Sequence, residues 1–135
     1  MFFKRSTKRF KILVIDYERN IIQTLQDRLE MDDYEVITAD NGKEGLKKAL
    51  QEKPDLILLD VMMPIMDGFE MLEALRKQPD GNFSSVIMVT ASNQTYDVAR
   101  ANTCGIDDYV VKPFDLSELL EKVEVVVESR KAVAK

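Results

Sequence analysis

Apolar residues along this chain fall into two alternating kinds of stretch. Ile12-Leu13-Val14-Ile15, Leu56-Ile57-Leu58-Leu59 and Val86-Ile87-Met88-Val89 are unbroken runs, whereas the segments between them space their apolar residues by three and four. Short runs bounded by turn signals predict strands buried on both faces, and the wider spacing predicts amphipathic helices. Ile21, Ile22, Leu25 and Leu29 mark a first helix, and Leu46, Ala49 and Leu50 a second. Phe69, Leu72 and Leu75 mark a third, and Leu116, Leu119, Leu120, Val123, Val126 and Val127 the last. A weaker, more polar helix is expected around Gln94–Thr103. Tyr34–Ala39 alternates as an edge strand does, and Tyr109-Val110-Val111 completes the set. Asp32-Asp33, Asn41-Gly42, Pro54, Pro79-Asp80-Gly81-Asn82 and Gly105 punctuate the elements, with Asp115 or Ser117 capping the last helix.

Strand followed by helix, five times over with short loops, implies an α/β fold with one parallel sheet covered on both faces. Five strands suit the order 2-1-3-4-5, the flavodoxin-like (βα)5 sandwich. In that order strands 1 and 3 are neighbours across the topological switch point, and the residues that end them are Asp16 and Asp60. A carboxylate inside a buried strand is costly, so Asp60 is expected to mark where its strand emerges from the sheet. The fourth and fifth strands end on Thr90 and Lys112. Parallel strands all point one way, so these four side chains should converge on one rim.

The 135 residues, 45% hydrophobic and 32% charged, match one globular domain over residues 11–130, with a basic arm at 1–10 and a short tail at 131–135. Residues 1–11 hold five cations and no acid, so residues 12–135 carry 14 Lys and Arg against 24 Asp and Glu, a net of −10. An acidic body argues against nucleic acid as the main partner, leaving the arm to fray in solvent, touch phosphate or meet an acidic partner. The absence of histidine excludes His triads, His metal sites and phosphohistidine within the chain. A lone Cys104 excludes an internal disulfide and reads as a small packing residue. No run approaches membrane-spanning length and no signal-peptide core follows Met1, so a cytoplasmic location is expected. Glu128 to Lys135 are too few for a further domain, so the output is expected to be a changed binding surface.

Two neighbouring carboxylates need a shared proton or a cation. An oxygen-only ligand set favours a hard ion, Mg2+ before Ca2+. Asp60 beside such an ion can act as a nucleophile toward phosphorus, Lys112 can neutralise a phosphoryl oxygen, and the Thr90 hydroxyl can donate to another. The chemistry this set is expected to perform is Mg2+-assisted phosphoryl transfer onto Asp60.

Ile12-Leu13-Val14-Ile15-Asp16, Asp60 with Met63-Pro64 and Asp67-Gly68, Thr90-Ala91-Ser92, and Tyr109-Val110-Val111-Lys112-Pro113-Phe114 together resemble the receiver domain of two-component response regulators. The resemblance runs from Lys11 to about Val127. It implies that Asp60 accepts a phosphoryl group from a histidine kinase or phosphotransfer protein. It also implies that Thr90 and Tyr109 are switch residues altering the fourth helix, fifth strand and fifth helix, and that Lys112-Pro113 is cis. A downstream protein target follows from it, and a receiver is not an enzyme beyond its own phosphorylation and dephosphorylation.

One position departs from the family, whose first strand usually ends in two acids: here the pair is Asp16-Tyr17. A phenol is neutral at pH 7 and a poor Mg2+ ligand. The expected ligands are therefore Asp16, Asp60 and the Met62 backbone carbonyl, with Glu18 as a further candidate. A phosphorylation-independent interaction module is the alternative function. A flavin binder on this architecture would need amide and hydroxyl donors after the first strand, and an aspartate-nucleophile phosphatase would need an acid where Met62 stands. Met62 and Ser92 occupy positions that tune phosphoryl lifetime in the family, and apolar Met62 is expected to shield the site. Tyr109 alone would read as a half-buried strand aromatic. Val125 lies off the core-facing stripe, which points to a partner or homodimer surface.

Overall fold

The computed structural model describes residues 9–80, 83–91 and 97–134, with side chains to residue 132. Element order is β1 (Lys11–Ile15), α1 (Arg19–Met31), β2 (Glu35–Ala39), α2 (Gly42–Glu52), β3 (Leu56–Asp60), α3 (Gly68–Arg76), β4 (Ser85–Thr90), α4 (Val98–Cys104), β5 (Asp108–Val111) and α5 (Leu116–Ala134). The five strands are parallel in the order β2-β1-β3-β4-β5, as expected. Register pairs Ile15 with Leu59, Asp60 with Val89 and Thr90 with Val111, which brings the carboxyl ends of β1, β3, β4 and β5 to one edge of the sheet.

Alternation along each strand divides the core into two layers. Leu13, Ile15, Ile57, Leu59, Val86 and Met88 face α2, α3 and α4, whose Ala49, Phe69, Leu72, Leu75 and Ala101 cover them. Ile12, Val14, Leu56, Leu58, Ile87 and Val89 face α1 and α5, through Leu25, Leu29, Leu119, Val123, Val126 and Val127. The unbroken aliphatic runs are thus strands with an apolar neighbour on both sides, and β2 and β5, with mostly half-buried patterns, are the edge strands.

Local chemistry sets the boundaries. Asn41 caps α2 and Asp67 caps α3 in a reciprocal capping box with Glu70. Gly105 ends α4 in the left-handed conformation, φ 71°. Asp115, rather than Ser117, caps α5: the Ser117 N–H and hydroxyl both donate to the Asp115 carboxylate, at 3.0 and 2.8 Å. Helix α4 starts at Val98 behind its cap Asp97, so the first part of the span expected from Gln94 lies outside the described residues, as do Ser92 and the Gly81-Asn82 turn. Residues 131–134, expected as a tail, continue α5. Arg130 fastens that extension, donating to the Phe83 carbonyl at 2.6 Å and the Ser85 hydroxyl at 3.0 Å. The Lys112-Pro113 peptide is cis.

Candidate functional site

At the carboxyl edge of the sheet, Asp16 directly after β1 and Asp60 at the end of β3 are each only 2% exposed. Asp60 ends β3, as expected, but it stays buried there instead of emerging from the sheet. The cost of burial is offset because each of its oxygens has a backbone donor. The Met62 N–H donates to Oδ1 at 3.2 Å and the Tyr17 N–H to Oδ2 at 3.3 Å. Asp16 accepts from the Glu18 N–H at 2.8 Å. Residues immediately after a strand end thus supply amides to the carboxylates, a role that reading side-chain types alone does not find.

Lys112 is the cation of the cluster. Its Nζ lies 2.8 Å from Glu18 Oε1, 3.1 Å from Asp16 Oδ2 and 3.6 Å from Asp60 Oδ2. The Glu18 contact is the shortest, so the lysine leans toward the exposed side of the cleft. Burial works against its charge, but the Glu18 hydrogen bond and the neighbouring carboxylates outweigh this and hold the ammonium above its ordinary pKa. Asp16 goes the other way: burial chiefly, with the Asp60 charge, raises its carboxyl to about 6 against the pull of the Glu18 amide and Lys112. The shift thus records chiefly the burial of Asp16, with the Asp60 charge adding to it and Lys112 only partly offsetting it.

The sheet brings together Asp16, Asp60 and Lys112 as expected, with Glu18 added by the lysine. Thr90 ends β4 fully buried, one residue beyond the Val89 that pairs with Asp60. Tyr109 is half-buried in β5 opposite Met88 and packs on the α3/α4 layer. The Tyr17 side chain turns out to solvent, 58% exposed, and this residue serves the site through its N–H. Met62 is also exposed. Gly68 permits the loop after β3 to fold back, since a Cβ there would run into the Asp60 carbonyl oxygen. Among the described residues, no three His, Cys, Asp or Glu side chains are grouped to hold a metal ion.

The family model for the response regulator receiver domain matches residues 12–124. The chain belongs to this family. Among curated relatives, the receiver is 44% identical over 117 residues to the alkaline phosphatase synthesis transcriptional regulatory protein PhoP of Bacillus subtilis, covering 87% of this chain and 48% of the relative. It is 38% identical to the response regulator ArlR of Staphylococcus saprophyticus, covering 87% and 52%. The receiver therefore spans about half the length of the curated relatives it matches. Among solved structures, the Vibrio cholerae chemotaxis protein CheY4 superposes with a TM-score of 0.81 at 34% identity, covering 88% of this chain and 99% of that one. A CheY-like receiver from Methanospirillum hungatei superposes with a TM-score of 0.82 at 33% identity, covering 93% and 99%. Among the described residues, no helix of the receiver is long and apolar enough to cross a membrane.

Proposed function

We propose that this receiver takes a phosphoryl group onto Asp60 from the phosphohistidine of a partner kinase or phosphotransfer protein, with Mg2+. The observation that carries the reading is the buried Asp60 carboxylate, held by two amides with Lys112 3.6 Å away. A carboxylate oxygen of Asp60 attacks phosphorus as the phosphorus–nitrogen bond to the donor imidazole breaks, and the imidazole leaves with that electron pair. Hydrogen bonds donated by the Tyr17 and Met62 N–H groups fix the rotamer of the attacking group, so little reorganisation precedes the reaction.

The donor set fits a hard divalent cation: two carboxylates, Asp16 and Asp60, and the backbone carbonyl of Met62, all oxygen. Glu18 is a further acidic ligand if Lys112 releases it. When bound, Mg2+ supplies positive charge that offsets the paired acids and the incoming phosphoryl oxygens. Lys112 then serves as the second cation, turning from Glu18 toward a phosphoryl oxygen, and the Thr90 hydroxyl donates to another. Thr90 and Tyr109 act as the switch, passing the new charge to the α4, β5 and α5 surface that a downstream protein reads. The chain's own chemistry is confined to gaining and losing this group, and the cytoplasm is where its donors would be met.

Incubation with a small acyl phosphate and Mg2+, followed by intact mass spectrometry, tests the reading. An acid-stable, base-labile phosphoryl adduct is expected on the native chain and none on Asp60→Ala. Absence of an adduct on the native chain, with no Mg2+-dependent NMR shifts, overturns the reading in favour of a phosphorylation-independent module.

A further inference from the structure

Away from the phosphorylation site, the end of α1 and the first half of α5 enclose a groove of about 700 Å³. Its apolar wall is Leu116, Leu120 and Val123 with the ring of Tyr34, and its acidic rim is Asp32, Glu121 and Glu124. Arg28 also lines it, but its charge is engaged by Asp32 at 3.4 Å. Burial, then the Asp32, Glu124 and Glu128 charges, push the Tyr34 hydroxyl above its ordinary pKa, in keeping with a negative potential along this wall. An apolar trough with an acidic rim suits a segment carrying aromatic and basic side chains together.

The chain carries such a segment beside it. Residues 1–8 read Met1-Phe2-Phe3-Lys4-Arg5-Ser6-Thr7-Lys8, two phenylalanines and three cations without an acid. The residues that follow are anchored at the mouth of the groove: Arg9 pairs with Asp33 at 3.5 Å, and the Phe10 ring lies 5.9 Å from that of Tyr34. We propose that the α1–α5 groove is the docking site of this chain's own N-terminal arm, Phe2 and Phe3 on the apolar wall and Lys4, Arg5 and Lys8 against Glu121, Glu124 and Asp32.

Reach and charge both favour this occupant. Seven residues upstream of Arg9 extend up to roughly 23 Å, whereas Leu116 to Glu124 spans about 12 Å of helix. Tethering places the arm at an effective concentration in the millimolar range. A second copy would have to bring an acidic body, net −10 over residues 12–135, against an acidic rim, and nucleic acid meets the same repulsion.

Amide NMR spectra of the full chain test this against a variant with Phe2, Phe3, Lys4 and Arg5 all changed to Ser. The expected result is a concentration-independent shift of the Leu116, Leu120, Glu121 and Glu124 amides between the two, diminished at high salt and lost when both carry Glu121→Lys and Glu124→Lys. Shifts confined to residues 9–12 and 33–35 would overturn the proposal. A concentration-dependent shift would overturn it too, assigning the groove to a second copy. The same spectra on an Asp60→Ala background should show the same arm effect, which keeps this outcome separate from that of the phosphoryl-transfer reading.

Discussion

Asp16 is the residue at which the cost of building this site is concentrated. With its carboxyl raised from 3.8 to about 6, the folded chain binds more protons than the unfolded chain between those pH values. Stability contributed by Asp16 therefore falls as pH rises through that window, the reverse of a salt-bridged aspartate with a lowered pKa. Without divalent cation, Asp16→Asn is expected to flatten the dependence of chemical denaturation midpoints on pH between about 4 and 6. It should also stabilise the chain at pH 7 by about 1–2 kcal/mol, less than the full shift because the amide gives up the ion pair with Lys112. A steeper native-like slope in the variant would refute this account. Ile65 shows a second local cost, a fully exposed β-branched residue held at φ 72° in the loop after β3. Ile65→Gly should relieve about 1 kcal/mol of strain, measured as a raised denaturation midpoint. Neither cost is visible in residue types alone. Asp16 was legible as a strand-end acid, but its burial depends on how the loops after β1 and β3 close over it.

At the scale of elements, the strands were the most legible part because hydrophobic runs of this length have few other uses in a polar chain. Leu56–Asp60 is a strand to the residue, and the alternating wall assignments of β1, β3 and β4 follow from its neighbours. Helix α4 was the least legible, having few apolar residues to mark a face. Beyond the buried Ala101 and Cys104, what holds it is polar and long-range: Arg100 makes a bidentate pair with Glu73 of α3 at 2.7 and 2.9 Å and lies 5.0 Å from the Phe69 ring centroid. Arg76 of α3 donates to the Cys104 carbonyl at the end of α4, at 3.0 Å. Such pairs are set by tertiary packing and leave no periodic trace. Arg100→Met should therefore loosen α4 selectively, seen as faster amide exchange over residues 98–104 with a global loss of only about 1 kcal/mol. Equal acceleration across all helices would show that the arginine serves the whole core instead. Gly68 couples elements differently, by letting the start of α3 touch the end of β3. Gly68→Ala should displace the Asp60 backbone and, by intact mass, lower the yield of the proposed phosphoryl adduct while the fold still melts cooperatively.

For the molecule as a whole, the sheet order and the convergence of Asp16, Asp60, Thr90 and Lys112 on one edge were readable from alternation and from the residues that end the strands. The charge balance at that edge was not, because it depends on side chains that leave the cleft or enter it from loops. Tyr17 turns outward and contributes its N–H, while Glu18, one residue on, takes the shortest contact with Lys112. The resting cluster thus holds Asp16, Asp60 and Glu18 against a single lysine, and a divalent ion bound there, as proposed, would compete with Lys112 for these acids. A ligand that binds only the folded chain stabilises it by RT ln(1 + [L]/Kd), about 1.4 kcal/mol at tenfold over Kd. Mg2+ should therefore raise the melting temperature of the native receiver in a concentration-dependent way, and Asp16→Asn should abolish the rise. Tyr17→Asp removes the outward-turned phenol and puts a short acidic side chain, free to turn into the cleft, on the residue whose N–H is bonded to Asp60. It should lower the half-saturating Mg2+ concentration by roughly tenfold, the effect of about 1.4 kcal/mol of added ion binding. The same variant should be less stable than the native chain without Mg2+, since a further acid joins a cluster that one lysine already fails to neutralise. Opposite signs in the two conditions distinguish a ligand gained from a general change in stability. An unchanged Mg2+ midpoint would show that the residue at position 17 is not what limits ion binding.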